Sequence, residues 1–399
     1  MKNLTFFLIR IPSYFLWLVS FFFLRSKTKW CFGSQSGFSG SNSKYLYYEI
    51  VMKHPEIKAA WICKTKDATF NTLREKGFPV YYKWSLEGLW FCLTSKVYCY
   101  THGVGDVNFA TSGGTYKLNL WHGVGIKKSE YLAQLSWVNF SNPIHRIIFP
   151  FYCTHHDMLI VTSESMRKLF SECFRIPYDS DRLVYTYTPR LMTHRLNGQD
   201  LNKMIDIADS NLHQYIKEIK MHNRTFFYMP TYRQDENNNV LESSCIDFPK
   251  LNDILKSRND FMLIKLHPRD LAKINKSYNY SNILIIKDLI DIYLLFPYID
   301  VVITDYSSVY ADFLLYKGEA IIFDFDIDNY MKKEQGLYYD FHEYTSAIFA
   351  HNAEELLELI QNRDHYPVPE KERMIKLYWG RVNDTPDLVA EIGSRISLA

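Results

Sequence analysis

The chain has 399 residues, of which 47% are hydrophobic and 23% are charged. This composition excludes an intrinsically disordered protein, and the length allows two domains with separate cores. The formal net charge of +2 gives no argument for a nucleic-acid partner. The seven cysteines are scattered and form no CxxC pair. They predict reduced thiols in a cytosolic protein, with neither a disulfide framework nor a zinc site.

The first 28 residues differ in composition from the rest of the chain. Residues 4–24 are strongly apolar but lack the small-residue cleavage site of a signal peptide. Three basic residues follow: Arg25, Lys27 and Lys29. Pro12 interrupts the stretch, and four residues recur at the spacing of one helical face: Arg10, Ser13, Trp17 and Ser20. We expect residues 1–28 to lie at the cytoplasmic face of the cell membrane, with the basic residues at anionic lipid; a membrane span and a buried helix are the alternatives.

The remaining chain alternates between strand-like and helix-like segments in two series. The first series has strands at 30–33, 57–63, 79–82, 96–100, 117–121, 157–161 and 183–187. A helical stretch at 201–221 leads to the second, with strands at 225–228, 261–266, 283–286, 301–304 and 321–323. This alternation predicts two parallel-sheet α/β domains, residues 29–200 and 201–399, the second including the closing helices. In such sheets, ligands bind beyond the carboxyl ends of the strands.

A histidine follows the strand at 117–121. His122 lies between Trp121 and Gly123, and Lys127 adds positive charge nearby. Gly123 leaves backbone room around the imidazole, which is suited to general-base work near neutral pH. The alternative is a histidine that satisfies backbone groups in a turn.

Two strand ends of the second series carry cationic residues. Lys265, His267 and Arg269 place three such groups around one strand end, while Thr231 and Arg233 follow another. Both sets fit phosphate charge. The alternatives are an ordinary strand cap with solvated basic neighbours and a common exposed arginine.

A third strand end carries Thr304, Asp305, Ser307 and Ser308 before a predicted helix at 309–317. Serine hydroxyls and backbone N–H groups at a helix start either cap the helix or hold a phosphate. Asp305 would repel a phosphate, so we expect it to orient a histidine or to accept from a sugar or glycerol hydroxyl. The glycine-serine loop at 33–42 is a candidate anion nest or acceptor cradle.

These motifs, in this order, resemble those of the CDP-glycerol glycerophosphotransferase family, which includes the teichoic acid glycerol-phosphate primases and polymerases. The matching segments are WHG at 121–123 with Lys127 after it, PTYR at 230–233, KLHP at 265–268 and TDYSSVYADF at 304–313. One segment departs from the family, which places a glycine before Pro-Arg and an aspartate after it. Here Pro189 and Arg190 lack both, which indicates a specialised acceptor.

The resemblance implies a GT-B-like fold, with two facing Rossmann-like domains and the active site in the cleft between them. It implies a CDP-glycerol or similar CDP-alditol donor on the C-terminal domain and a lipid-linked or polymer hydroxyl as acceptor at the membrane surface. His122 would be the base, while His267, Arg233 and the turn at 304–308 would bind the diphosphate as CMP leaves. The choice between glycerol and ribitol phosphate, between primase and polymerase, and the need for a divalent metal stay open.

Two other functions fit the same cleft. A glycosyltransferase of this fold would use a nucleotide sugar, and a membrane-bound recognition protein would keep the fold without catalysis. Retention of His122, His267 and Asp305 favours an enzyme.

Overall fold

The structure, a computed structural model, describes residues 2–35, 37–38, 40–133, 142–144, 154–196, 198–208, 211–233, 239–274, 277–288, 290–333, 336–380 and 387–398. At residues 2–10, 208 and 398 only the backbone is described.

Within these residues, the first sheet contains seven parallel strands: β1 (Ser26–Phe32), β2 (Lys58–Cys63), β3 (Val80–Tyr82), β4 (Ser95–Tyr100), β5 (Tyr116–Asn119), β6 (Met158–Val161) and β7 (Leu183–Tyr185). Their spatial order is β3-β2-β1-β4-β5-β6-β7. The strands are mostly buried, as expected for a parallel sheet covered on both faces. The chain builds outward from β1 in one direction and then continues from β4 in the other, which creates a crevice at the β1/β4 switch point.

The second sheet contains six parallel strands in the described part of the chain: β8 (Arg224–Met229), β9 (Asp260–Ile264), β10 (Ile283–Ile285), β11 (Val301–Thr304), β12 (Glu319–Phe323) and β13 (Ile348–Ala350). Their order is β10-β9-β8-β11-β12-β13, with the switch point between β8 and β11. The PTYR and TDYSS segments follow these two strands directly, so the fold places both at the rim of one crevice.

The helices in the described residues are α1 (Lys2–Val19), α2 (Asn42–Lys53), α3 (Ala68–Glu75), α4 (Leu86–Thr94), α5 (Glu164–Phe174), α6 (Gly198–Ala208), α7 (Leu212–Ile219), α8 (Val240–Ser243), α9 (Phe248–Arg258), α10 (Pro268–Leu271), α11 (Val309–Phe313), α12 (Ile327–Lys333), α13 (Ala353–Asn362), α14 (Lys371–Trp379) and α15 (Leu388–Leu398). The long helix predicted at 201–221 is two helices, α6 and α7; residues 209–210 between them lie outside the described residues. The helix predicted at 309–317 ends at Phe313 and continues as turns.

The two domains share part of their core, since one buried cluster contains Trp121 and Leu159 of the first domain and Phe227 and Val302 of the second. The last helix, α15, departs from the predicted boundary. Its apolar positions 388, 392 and 396 join the buried cluster around Trp30, so it packs on the first domain and not on the second. Chain order alone gives no sign of this return, so the predicted second domain, residues 201–399, includes a helix that packs on the first sheet.

The N-terminal helix α1 packs on the first domain through the face that carries its polar residues. The Trp17 ring stacks on Phe109 at 5.6 Å, and the Ser20 hydroxyl accepts from the Gly113 N–H at 2.8 Å. Phe15 and Leu18 lie on the opposite, exposed face. None of the described helices combines the length and the apolar character that crossing a bilayer requires.

Candidate functional site

The carboxyl ends of the two sheets face each other across a cavity of about 600 Å³. Both domains contribute to its walls. Nine of the sequence-predicted site residues line it: His122, Gly123, Lys127, Thr231, Lys265, His267, Asp305, Ser307 and Ser308. The fold thus brings together motifs that lie up to 186 positions apart in the chain, as the strand-end rule predicts.

The turn that carries His122 is tightly held. Trp121 has φ 50°, a left-handed conformation that costs a non-glycine residue roughly 1–2 kcal/mol. The Asn119 side chain accepts from the Trp121 N–H at 2.8 Å. The buried Asn42 amide donates to the carbonyls of Leu120 and Trp121, at 2.9 and 2.8 Å. These bonds stabilise the unusual backbone and fix the direction of the His122 ring.

A second support comes from the domain junction. Arg190 donates to the carbonyl of His122 and pairs with Asp312 of the second domain at 2.5 Å. The guanidinium also lies 4.6 Å from the centre of the Tyr293 ring, and the Arg190 N–H donates to Asn42 Oδ1. The Pro-Arg segment that departs from the family pattern therefore holds the histidine turn. Sequence reasoning missed Asn42, although it ends the glycine-serine loop at 33–42.

The hydrogen bonding of His122 determines which nitrogen is available. Its Nδ1 lies 3.3 Å from the Thr101 carbonyl, which can only accept, so Nδ1 carries the proton in the neutral ring. Nε2 is then left as an acceptor. The ring is open to the cleft, yet surrounding protein desolvates it, and with the nearby His102 this lowers the pKa of His122 well below its ordinary value. The imidazole is neutral at pH 7, as a proton acceptor must be.

His102 is a site residue that the sequence motifs did not indicate. It follows β4, lines the cleft and stacks on His122 with ring centres 4.1 Å apart. Asp106 accepts from the His102 N–H at 2.9 Å and so fixes this turn. The available signal was the repeat of a histidine-glycine pair after two strands, His102–Gly103 and His122–Gly123.

His267 lies on the opposite wall and has the opposite proton arrangement. Its Nδ1 accepts from the Arg269 N–H at 3.2 Å, where it caps α10. In the neutral ring the proton is therefore on Nε2, which can donate. Desolvation, followed by the charges of Arg269 and Lys265, lowers the pKa of His267. The Tyr232 ring packs beside it at 4.6 Å.

The turn that carries Ser307 and Ser308 lies close to Gly123 of the first domain. A Cβ at Gly123 would lie 3.0 Å from the Ser308 hydroxyl and 3.1 Å from Arg190. Because Gly123 has no side chain, the turn of the first domain and Ser308 of the second domain can lie this close together. Ser307 accepts weakly from the Val309 N–H at 3.3 Å, whereas Ser308 makes no side-chain cap. Both serines line the cavity.

Arg233 and Asp305 form a buried ion pair in which Asp305 lines the cavity and Arg233 lies behind it. The Arg233 guanidinium, 2% exposed, donates to Asp305 at 2.9 Å, to Asp326 at 2.8 Å and to the Thr231 carbonyl at 2.6 Å. Asp305 also accepts from the Thr231 N–H at 2.9 Å. Arg233 does not line the cavity, so the expected contact with the diphosphate is replaced by contacts that fix the PTYR turn. Within the described part of the chain, Asp305 bonds Arg233 and Thr231 and not a histidine.

The other predicted residues divide between the rim and the interior. Lys127 Nζ lies 3.5 Å from Thr231 Oγ1, and Lys265 Nζ donates to the Asp288 carbonyl at 2.7 Å; both line the cavity. Arg269 is exposed outside the cavity lining, over Tyr232. The buried Thr304 hydroxyl donates to the Met229 carbonyl at 2.6 Å and ties β11 to β8. Thr304 therefore supports the sheet and does not reach the cavity.

Comparison with known proteins agrees with this geometry. The family described as CDP-Glycerol:Poly(glycerophosphate) glycerophosphotransferase matches residues 15–385. The teichoic acid poly(ribitol-phosphate) polymerase of Bacillus spizizenii is 25% identical over 62% of this chain, and the teichoic acid glycerol-phosphate transferase of Staphylococcus aureus is 22% identical over 84%. The chain spans 38% of the first relative and 83% of the second.

A solved structure, that of the wall teichoic acid polymerase TagF, superposes with a TM-score of 0.73 at 18% identity. The match covers 100% of this chain and 95% of that one. The predicted architecture of two parallel-sheet domains facing a cleft is confirmed by this likeness.

Proposed function

Because the chain belongs to the CDP-glycerol:poly(glycerophosphate) glycerophosphotransferase family, we propose that it transfers glycerol phosphate, or a related polyol phosphate, from a CDP-activated donor to a hydroxyl of a membrane-linked cell-surface glycopolymer. The WHG, KLHP and TDYSS motifs predicted this family, and the match over residues 15–385 confirms it.

The observation that carries the assignment of roles is the opposite proton arrangement of the two histidines. His122 presents an acceptor nitrogen and His267 presents an N–H donor, from opposite walls of one cavity. A transfer to a hydroxyl needs one group of each kind. The geometry therefore supports His122 as the base and His267 as the group that contacts the donor.

In the proposed step, the acceptor hydroxyl gives its proton to His122 Nε2 while its oxygen forms a bond to the β-phosphorus of the donor. The bond between that phosphorus and the oxygen bridging to CMP breaks, and its electron pair stays on the CMP oxygen. His267 Nε2–H donates to the phosphate oxygens as this charge develops. The proton ends on His122 and returns to solvent.

The donor carries the negative charge of its diphosphate, and its binding groups come mainly from the second domain. Lys265 and the two hydroxyls of Ser307 and Ser308 line the same cavity as His267. Lys127 reaches across from the first domain. Asp305 lines the cavity and pairs with the buried Arg233, and the two residues together hold Thr231 at the cavity wall.

We also propose that the exposed apolar face of α1 rests on the membrane. Phe22 and Leu24 extend that face, and Leu86 and Trp90 of α4 are exposed beside it, since Phe23 contacts the Trp90 ring. Arg25 supports the fold, because its guanidinium donates to the carbonyls of Ser20, Cys92, Ser95 and Thr111. Arg25 was expected to contact anionic lipid, but these bonds use its guanidinium within the fold. Of the three basic residues after α1, Lys27 is the exposed one.

Substitution is the appropriate test of this face, because deletion of residues 1–28 would remove Arg25 and part of β1. The variant Phe15→Glu/Leu18→Glu should lose binding to phosphatidylglycerol vesicles and keep donor affinity. Met52→Glu, at an exposed apolar residue of α2, is the matched control. Undiminished vesicle binding by the double variant would contradict the proposal.

The activity itself is tested with purified protein and three classes of donor: CDP-glycerol, CDP-ribitol and nucleotide sugars. We expect CMP release from a CDP-alditol that depends on His122. Transfer from a nucleotide sugar alone would make the protein a glycosyltransferase. A protein that binds donor but turns over none would be a recognition protein.

A further inference from the structure

The carboxyl edge of the first sheet carries a row of polar side chains that the proposed reaction does not fully use. Lys83 follows β3, Lys64 follows β2, Ser34 follows β1, His102 follows β4 and His122 follows β5. In the sheet these strands are neighbours in that order. With strands about 4.8 Å apart, the row from Lys83 to His122 is about 19 Å long.

A second cavity of about 600 Å³ lies along the far part of this row. Lys64, Lys83, Trp84 and His102 line it. His102 also lines the reaction cleft, so the two cavities adjoin at this side chain and at its stacked neighbour His122. A chain lying in the second cavity would therefore end at the proposed base.

The charges in this cavity favour an anion. Lys64 is about one-third exposed, with Nζ 3.6 Å from the buried Asp106 carboxylate. That carboxylate also accepts, through its other oxygen, from the N–H groups of Thr101 and His102, at 3.2 and 2.9 Å, and it offsets only one of the two lysine charges. Burial raises the pKa of the second acid, Glu130, to about 7, so it is partly neutral at physiological pH. Lys83 adds a further positive charge.

We propose that this second cavity is an acceptor track that binds phosphate groups of the growing polymer or of its lipid-linked start, with Lys64 and Lys83 as the phosphate contacts. The inference rests on the proposed function and extends it, since it names the part of the acceptor that is recognised. Acceptor phosphates lie along the sheet edge, and the terminal hydroxyl reaches His122 beside His102.

The position of the track fits the membrane face. Trp84, 42% exposed, closes the far end beside Lys83, and α4 with its exposed Leu86 and Trp90 begins two residues later. Ser13 and Tyr14 of α1 line the same cavity. An acceptor anchored in lipid would thus enter at the end of the row that is farthest from His122.

The test measures acceptor binding without donor, using calorimetry and two soluble probes: a synthetic tetramer of glycerol phosphate and glycerol 3-phosphate. We expect Lys64→Met and Lys83→Met each to weaken tetramer binding about tenfold, the effect of losing one charge-assisted hydrogen bond at a half-exposed site. Glycerol 3-phosphate binding should change less in Lys83→Met, because Lys83 lies farthest from His122. Lys58→Met, at the exposed opposite end of β2, is the matched control.

Circular dichroism melting verifies that each variant is folded. Wild-type tetramer affinity in a folded Lys64→Met/Lys83→Met variant would overturn the track. Failure of the two proposals is distinguishable. If wild-type protein turns over no CDP-alditol but tetramer binding still depends on the lysines, the track stands and the proposed function fails. If the protein turns over CDP-alditol but the acceptor KM is unchanged by Lys64→Met and Lys83→Met, the proposed function stands and the track fails.

Discussion

Replacement of the two histidines by alanine should produce two different defects. His122→Ala removes the acceptor nitrogen on the first domain and leaves the donor-binding groups of the second domain in place. General bases contribute about 10²–10⁴-fold in rate, which corresponds to about 2.7–5.4 kcal/mol of transition-state free energy. We therefore expect donor affinity near that of the wild type and a single-turnover rate reduced by that factor.

His267→Ala removes an N–H donor that contacts negative charge in both the ground state and the transition state. A hydrogen bond to a charged group contributes about 1.5–3 kcal/mol, so donor affinity should fall about 10–150-fold, together with the rate. Alanine also deletes the cap on the Arg269 N–H, at a cost of about 1 kcal/mol in folding. His267→Asn keeps an acceptor for that cap and isolates the effect of the lost Nε2–H.

The assay combines calorimetry of CDP-glycerol binding with rapid-quench measurement of CMP release in a single turnover. His213→Ala provides the matched control, since His213 is exposed, contacts Asp206 and is not among the residues that line the cleft. Equal losses of donor affinity in His122→Ala and His267→Ala would refute the division of roles. A normal single-turnover rate in His122→Ala would remove it as the base.

Three further outcomes follow from the same contacts. Ser307→Ala/Ser308→Ala should weaken CDP-alditol binding about 10–100-fold in calorimetry. It should lower the free energy of unfolding by only about 1 kcal/mol, because Ser307 makes a single weak cap. Unchanged affinity would mean that the serines do not bind the CDP-alditol. Asp312→Ala should lower the free energy of unfolding by about 3–5 kcal/mol in urea titrations, because it leaves the buried Arg190 charge unpaired. It should also reduce kcat more than donor affinity, since Arg190 holds the His122 turn. A decrease in the free energy of unfolding below about 1 kcal/mol would contradict this. The folded pKa of His122 lies below its ordinary value of about 6.5, so the folded ring is neutral above that pH. The single-turnover rate should therefore stay level from pH 8 to about 6.5 and fall only in more acidic buffer. In that acidic range the unfolded ring takes up a proton that the folded ring does not, so the native state also loses stability. A rate that falls between pH 8 and 7 would refute the lowered pKa.

The strands and the positions of the motifs were predictable because they depend on local sequence. Runs such as Val301–Thr304 are apolar and β-branched, and the polar residues that follow mark the strand end. Parallel strands place their carboxyl ends on one edge, so chain direction alone predicts that His267 and Ser307 meet. The β13 strand, Ile348–Ala350, was not predicted.

The partners of charged side chains were not predictable, because they depend on residues far apart in the chain. Arg233 follows a strand and was expected at an anion, but Asp326, 93 positions later, lies below it and takes two of its bonds. The sequence does not show this pairing, because the two residues are far apart in the chain. Burial requires it, since a charged arginine that is 2% exposed must be paired. The same reasoning explains why His102 was missed: its role depends on stacking against a ring from the neighbouring strand.

The domain junction links the catalytic geometry to the relative position of the two sheets. In the described part of the chain, buried ion pairs cross it at Lys44–Asp291, 2.7 Å, and at Arg190–Asp312, 2.5 Å. Buried pairs add little net stability compared with apolar contacts, but a mismatched arrangement would leave a buried charge unpaired. The two ion pairs therefore favour the one relative position of the two domains in which both are formed. Since Arg190 also donates to the His122 carbonyl, the arrangement that satisfies the ion pair is the one that brings the base to the donor wall.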